Sequence, residues 1–375
     1  MIKPEYFYEL LSEGGIDLFT GVPDSLLKDF CAYVTDHVSA DRHIIAANEG
    51  GAVAIASGYY LSTGRTGLVY MQNSGQGNAI NPLASLADKD VYSLPILLLI
   101  GWRGKPGEKD EPQHAKQGKV TLSLLDAMDI PYKILPRDIP GAEKCMADIF
   151  NLLAERNAPA AVIIEKGTFE PYECARQEAR TSELTREDAI RLVVNTMDPA
   201  GVIVSTTGKA SRELYEYREQ KGMSHERDFL NVGAMGHSSQ VALGVAISQP
   251  SRDVYCIDGD GAVIMHMGAL AVIGEKKVKN FKHVIINNGA HDSVGGQPTA
   301  GLNMSFAGVA KACGYSLCLE ARNRKEAIEN MKLLRFSEGP AMLEIKTNMG
   351  SRHSLTRPAL SRSESKKIFM EFLRK

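Results

Sequence analysis

The chain predicts an α/β fold made of two homologous open parallel-sheet domains. Three observations predict it. Apolar strand-like runs alternate with helical patterns along 375 residues. Most of these runs end in Gly, Asn, Ser or Thr, the loop chemistry of βαβ units. The two halves also match each other, segment by segment.

In chain order the runs are IDLFTG, TGLVYMQN, LPILLLIG and AAVIIEKG, then AGVIVSTTG, DVYCIDGDG, KHVIINNG and PAMLEIKT. LPILLLIG is apolar throughout, as a strand buried on both faces requires. It is far too short to span a bilayer. Between Lys166 and Asp188 the text turns polar. We therefore expect one domain over 1–170, a linker over 171–184 and a second domain over 185–375. Thr185 with Asp188 reads as a capping box opening the second. GYYLSTGRTGLVYMQNSGQGNAINPLASLA set beside GVAISQPSRDVYCIDGDGAVIMHMGALA runs helix end, strand, Gly-x-Gly, helix in both. Gly75-Gln76-Gly77 falls opposite Gly259-Asp260-Gly261, and LLLIGWRG opposite VIINNG. The matched order favours duplication over chance similarity of two parallel-sheet units.

Hydrophobic content of 44% and charged content of 23% are those of a globular protein. A net charge of -2 gives no global field toward nucleic acid or membrane. The six cysteines are scattered without a CxxC pair, which argues against a disulfide scaffold or a zinc motif and for a reducing cytoplasm. MIKPEYFYELLSEGG reads as an amphipathic helix rather than a signal peptide.

The chemistry centres on Asp258-Gly259-Asp260-Gly261, where an apolar strand ends on two carboxylates set among glycines. A turn explains this pattern. A bare phosphate loop does not, because carboxylates repel phosphate. A carboxylate beside a diphosphate makes sense with a divalent cation between them, and Mg²⁺ takes one or two protein oxygens plus phosphate and water. The glycines, Gly259 and Gly261, let the backbone approach, and the N–H groups from Ala262 onward face the anion. A second oxygen ligand is then required on a neighbouring strand end. HVIINNGAHDS supplies it: twenty-five residues separate Gly261 from Asn287, enough for one helix and one strand.

A GDG followed at that interval by NN resembles the thiamine-diphosphate-dependent 2-oxo acid decarboxylases. The resemblance implies a pyrimidine-binding domain followed by a diphosphate-binding domain, with thiamine diphosphate and Mg²⁺ as cofactors. It implies Asp260, Asn288 and the carbonyl of Ala290 as metal ligands. HIIAANEGGAVAIASGYY resembles the segment whose glutamate meets the cofactor's aminopyrimidine ring, which makes Glu49 the candidate; a first-turn Glu behind an Asn48 cap is the plainer alternative. NVGAMGHSSQVALGVA resembles the stretch that grips that ring, through the Gly233 carbonyl and the Met235 side chain. VSTTGKAS resembles a diphosphate contact through Thr207 and Gly208. On this reading Asp258 shapes the turn. The resemblance also implies a homodimer or larger assembly, with Glu49 and the metal site coming from different subunits.

GIDLFTGVPDSLLKDF, LIGWRGKPGEKDEPQHAKQG and MGSRHSLTRP resemble the compact branch of that family, the phosphonopyruvate decarboxylases with the sulfopyruvate decarboxylases as kin. The likeness runs from Glu9 to about Pro358, and one short linker leaves no room for a central third domain. It implies decarboxylation of an anionic 2-oxo acid to an aldehyde, as in phosphonate biosynthesis, with no nucleic-acid or membrane partner. An acetolactate-type carboligase is a more distant alternative. A phosphonate substrate needs fixed cations and N–H donors. Candidates are Asp24 and Ser25 at the first strand tip, Arg103 and His114 after LPILLLIG, and His237, His291 and Arg352. Of these, His114 and His291 are the candidates for proton transfer. Lys105, Lys109 and Lys116 read as a solvated basic loop. The stretch 351–358 departs at two places from the family loop, which leaves Arg352 standing and the role of His353 open.

Overall fold

The apolar runs form the middle of two six-stranded sheets, and each sheet is completed by shorter strands at its edges. The computed structural model describes residues 1–175, 182–352 and 354–375. Residues 176–181 of the expected linker, and His353, lie outside the described residues. The chain divides into one unit of Met1–Glu178 with Val294–Gln297 and another of Ala179–Ser293 with Pro298–Lys375.

In the first unit the strands are β1 (Phe19–Gly21), β2 (His43–Ile45), β3 (Gly67–Gln72), β4 (Ile96–Gly101), β5 (Tyr132–Ile134) and β6 (Ala160–Ile164). Their order is β2-β1-β3-β4-β6-β5, and every pairing is parallel. In the second unit they are β7 (Val202–Ser205), β8 (Asp228–Leu230), β9 (Val254–Gly259), β10 (Phe281–Asn287), β11 (Leu317–Ala321) and β12 (Ala341–Lys346). Their order, β8-β7-β9-β10-β12-β11, repeats that of the first sheet position for position, again all parallel. β9 therefore corresponds to β3 and β10 to β4. This is the pairing that the two Gly-x-Gly turns predicted, and it is what a duplicated domain requires.

Both faces of each sheet are covered. Leu97 and Leu99 of β4 enter one core with Phe7, Phe19 and Phe30, while Ile96, Leu98 and Ile100 enter another with Val53 and Leu83. In the second unit Tyr255 and Ile257 face one core, and Val254 and Cys256 the other. Burial on both sides leaves loop chemistry only at the strand ends, where α/β sheets place their ligands. The N-terminal stretch forms helix Pro4–Glu13, which buries Phe7 and Leu11. Thr185 and Asp188 form the expected capping box. Among the described residues no helix is long and apolar enough to cross a membrane.

One expectation is corrected here. Asp258 does not shape a turn. It lies within β9, paired in register with Ile285, and is 1% exposed. Alternation along the strand sends its side chain into the core, so the turn proper begins only at Asp260.

Candidate active site

In the first unit Glu49 opens helix Glu49–Thr63. Asn48 caps that helix by accepting from the Gly51 N–H at 2.8 Å, a bond worth about 1 kcal/mol. The Glu49 carboxyl is buried, and Asn78 Nδ2 donates to its Oε2 at 2.7 Å. Burial pushes its pKa up against the opposing hydrogen bond from Asn78. A Cβ on Gly75 would lie 2.5 Å from Cγ and Cδ of Glu49, so only glycine fits there. The first Gly-x-Gly turn is therefore the wall behind Glu49. Asn78 was not singled out from the sequence, although it stands one residue beyond that turn.

At the tip of β4 the structure brings Arg103, Ser25 and His114 into one neighbourhood. Arg103 Nη1 donates to Ser25 Oγ at 2.6 Å. Its Nε and Nη2 donate to the two oxygens of Asp110 at 2.8 and 2.5 Å. Asp110, absent from the sequence expectations, is thus a bidentate partner. Burial alone would raise its pKa, but the bonds from Arg103, Glu111 N–H and Gly104 N–H hold it well below the usual carboxylate range. His114 begins helix His114–Ala127, and its Nδ1 is buried without a hydrogen-bond partner among the described residues. Burial and then the Arg103 charge lower its pKa, so its ring is neutral near pH 7. Lys105 is not merely solvated: it pairs with Glu165 and lies 5.7 Å from the Trp102 ring.

Asp24 is corrected as a substrate contact. It has no exposed surface, its Oδ1 accepts from Gln72 Nε2 at 2.6 Å and its Oδ2 from the Leu26 N–H at 2.9 Å. It packs against Gly101 and braces the strand tips from inside.

In the second unit Asp260 follows β9 and Asn288 follows the neighbouring β10. Asp260 is 3% exposed. Burial raises its pKa to about 6, against hydrogen bonds from the Thr299 hydroxyl and from the N–H groups of Asp260, Gly261 and Asn288. These donors are all neutral. A divalent cation is the charge that such a buried carboxylate lacks, and the residues beside it suit one. Asn288 is buried at the next strand tip, and the Ala290 N–H donates to its Oδ1 at 3.1 Å, which curls the loop back. The two asparagines divide the labour. Asn287 Nδ2 donates to the Gly301 carbonyl at 2.6 Å and to Glu344 Oε1 at 2.7 Å, so the first asparagine fixes the loop. The Asp260 carboxylate and the Asn288 amide oxygen are hard donors of the kind Mg²⁺ takes. Thr299, which holds Asp260, lies thirty-nine residues on and carried no motif. Gly259 caps the short helix Asp260–Met265, and Ala262 is buried within it. His291 packs on Gly261, with Cε1 3.0 Å from where a Cβ would stand. Burial lowers its pKa to about 4.

Thr207 and Gly208 lie at the end of β7. Gly208, at φ 92, caps helix Lys209–Gln220 in a conformation that side chains disfavour, and brings no side-chain cap to the first N–H groups of the helix. Gly233 and Met235 lie in the turn before helix Ser238–Ser248. His237 is exposed and stacks on His266, centroids 4.3 Å apart, a partner that went unnoticed in the sequence.

The metal-side loop is tied down by an ion-pair network also missed. Arg186 Nε and Nη2 donate to both oxygens of Glu213 at 2.7 and 2.8 Å, and Nη1 to Asp292 at 2.8 Å. Asp292 stands two residues past Ala290. Lys209 Nζ donates to the Asp292 carbonyl at 3.1 Å. Arg352, expected as a substrate contact, has its guanidinium paired with Glu187 and Glu216, each at 2.6 Å.

Comparison with known proteins bears on this geometry. Residues 4–128 match the family described as thiamine pyrophosphate enzyme, N-terminal TPP binding domain, and residues 206–345 the corresponding C-terminal TPP binding domain. A phosphonopyruvate decarboxylase of Streptomyces hygroscopicus is 34% identical over 96% of this chain and 90% of its own length. One of Streptomyces viridochromogenes is 32% identical over 96% and 92%. A sulfopyruvate decarboxylase of Methanosarcina acetivorans is 26% identical over 100% and 98%.

Proposed function

From the premise that this chain belongs to the thiamine diphosphate (thiamine pyrophosphate) enzymes, we propose that it decarboxylates phosphonopyruvate to phosphonoacetaldehyde and CO₂. It is then a carbon-carbon lyase using thiamine diphosphate and Mg²⁺. The observation that carries the chemistry is the meeting of Asp260 and Asn288 at adjacent strand tips, one a buried carboxylate surrounded by neutral donors. Full-length similarity to two phosphonopyruvate decarboxylases supports the substrate.

Thiamine diphosphate, when bound, supplies the nucleophilic carbon and the electron sink for loss of CO₂. The chain's own residues do the rest. Asp260, Asn288 and the Ala290 carbonyl hold the metal. Thr207, Gly208 and the first N–H groups of helix Lys209–Gln220 receive the diphosphate. Gly233 and Met235 grip the ring. Glu49, whose hold on its proton burial strengthens, faces a ring nitrogen. Arg103 and Ser25, and separately His237, receive the substrate's anionic groups. Burial favours the neutral rings of His114 and His291, each with one N–H to donate and one ring nitrogen able to take up a proton. The reaction is placed in phosphonate biosynthesis.

Self-association is part of the same proposal, with Glu49 and the metal site of one active centre on different subunits. Exposed Leu61, Ile247 and Val272 offer apolar area to bury. Cysteines without disulfides among the described residues support a cytoplasmic setting. The test is aldehyde and CO₂ release from phosphonopyruvate with both cofactors. Asp260→Ala should abolish turnover and the thermal shift produced by thiamine diphosphate with Mg²⁺. Mixing inactive Glu49→Gln and Asp260→Ala proteins should restore part of the activity. An active Asp260→Ala enzyme would overturn the metal assignment.

A further inference from the structure

The buried Asp258 belongs to a cluster that the decarboxylation site leaves unused. Cys256 and Asp258 sit two residues apart on β9, hence on one face of the sheet. His283 lies opposite Cys256 in the parallel register of β10. All three are buried, at 0%, 1% and 0% exposure. One sulfur, one carboxylate oxygen and one ring nitrogen lie within 4.8 Å of one another.

His283 Nε2 stands 3.7 Å from Asp258 Oδ2, too far for a hydrogen bond. Neither atom has a hydrogen-bond partner among the described residues. The other ring nitrogen, Nδ1, lies 3.3 Å from the Tyr315 hydroxyl. Two orphaned polar atoms facing each other in a dry core are costly. A cation between them removes that cost. Ligands bound at roughly 2.0–2.3 Å in a tetrahedron stand about 3.3–3.8 Å apart, and the Asp258–His283 separation is already of that size. A metal-bound imidazole also characteristically engages a partner through its second nitrogen, as Tyr315 provides.

We propose that Cys256, Asp258 and His283 form a second metal site, for a zinc-class divalent transition ion. It differs in chemistry from the all-oxygen Asp260 site: Mg²⁺ does not select a thiolate and an imidazole, whereas zinc does. A thiolate, a carboxylate and a neutral imidazole carry two negative charges, which one divalent ion neutralises. Without a cation, burial pushes the Cys256 thiol up, so binding releases its proton. The ion would staple β9 to β10, the strands whose tips carry Asp260 and Asn288.

The test uses the full chain, produced with zinc in the medium and desalted into Mg²⁺ buffer. Elemental analysis should find about one zinc per chain. Exchange with Co²⁺ should give a thiolate-to-cobalt charge-transfer band in the near ultraviolet. Asp260→Ala should keep that band, because the oxygen site has no thiolate. Cys256→Ser should lose it, and zinc retention should fall at least about tenfold. Should Cys256→Ser fail to fold, the wild-type zinc content and cobalt spectrum decide alone. Negligible zinc together with no charge-transfer band would mean that no ion lies between Asp258 and His283, and would overturn the proposal. So would a band that survives Cys256→Ser.

Discussion

The carboxyl of Glu49 rests against the bare Cα of Gly75, so close that a Cβ there would lie 2.5 Å from Cγ and Cδ of the glutamate. The second unit has its own Gly-x-Gly turn at the corresponding strand end, with Asp260 where the first has Gln76. One ancestral turn thus serves two ends: a wall for an acid in one unit and the acid itself in the other.

Gly75→Ala should push the Glu49 carboxyl aside without unfolding the domain. Misplacing a reacting group by about 1 Å costs on the order of 10²-fold in rate. Steady-state kinetics should show that loss in kcat, with the circular dichroism spectrum unchanged. Wild-type kcat in this variant would show that Glu49 needs no such placement.

Glu49→Gln should lower kcat by about 10²–10⁴-fold and should stabilise the protein without cofactor. The sign follows from the raised pKa of Glu49. Between its unfolded value, about 4.3, and its higher folded value, the folded state keeps a proton that the unfolded state releases. Wild-type stability therefore falls as pH rises through that window and stays lower above it. The variant lacks this dependence, so its Tm should exceed the wild type's at alkaline pH, and the gap should close as pH falls toward about 4. Calorimetry across pH checks it.

Asp110→Asn should release Arg103 from its bidentate partner. If Arg103 receives the substrate's anion, the carboxylate competes with substrate. KM for phosphonopyruvate should then fall about two- to five-fold, the size of a partly exposed pair worth about 0.5–1 kcal/mol. A rise in KM would show that Asp110 positions Arg103 instead.

Arg186→Met leaves the buried Glu213 without its cation, while Asp292 keeps Lys209 3.7 Å away. Breaking such a pair costs about 3–5 kcal/mol, measurable by denaturant unfolding. Because Asp292 follows Ala290 closely, the Mg²⁺ concentration for half-maximal activity should rise as well. Arg186→Lys should recover part of the stability but not the bidentate bond.

The eight strands legible in the sequence are the central strands of the two sheets. The four that were missed, β2, β5, β8 and β11, are the four edges. Central strands are buried on both faces and read as continuous apolar runs. Edge strands are short and half-exposed, as Tyr132–Ile134 and Asp228–Leu230 show, so they carry no such signal. The site divides in the same way. Asp260 and Asn288 were legible because strand ends preserve spacing. Thr299, Asp110 and Arg186 were not, because each reaches its partner through a loop or helix whose register no local pattern records. Asp24 was misread for a related reason. A sequence shows that a charge is present, but not that Gln72 already answers it.

The central claim is the substrate, and kcat/KM for phosphonopyruvate, sulfopyruvate and pyruvate, measured with Mg²⁺ and thiamine diphosphate, tests it most directly. The account predicts that phosphonopyruvate is preferred by at least about tenfold, a transition-state advantage of about 1.4 kcal/mol, and that turnover vanishes without thiamine diphosphate. A higher kcat/KM for sulfopyruvate or pyruvate would contradict it.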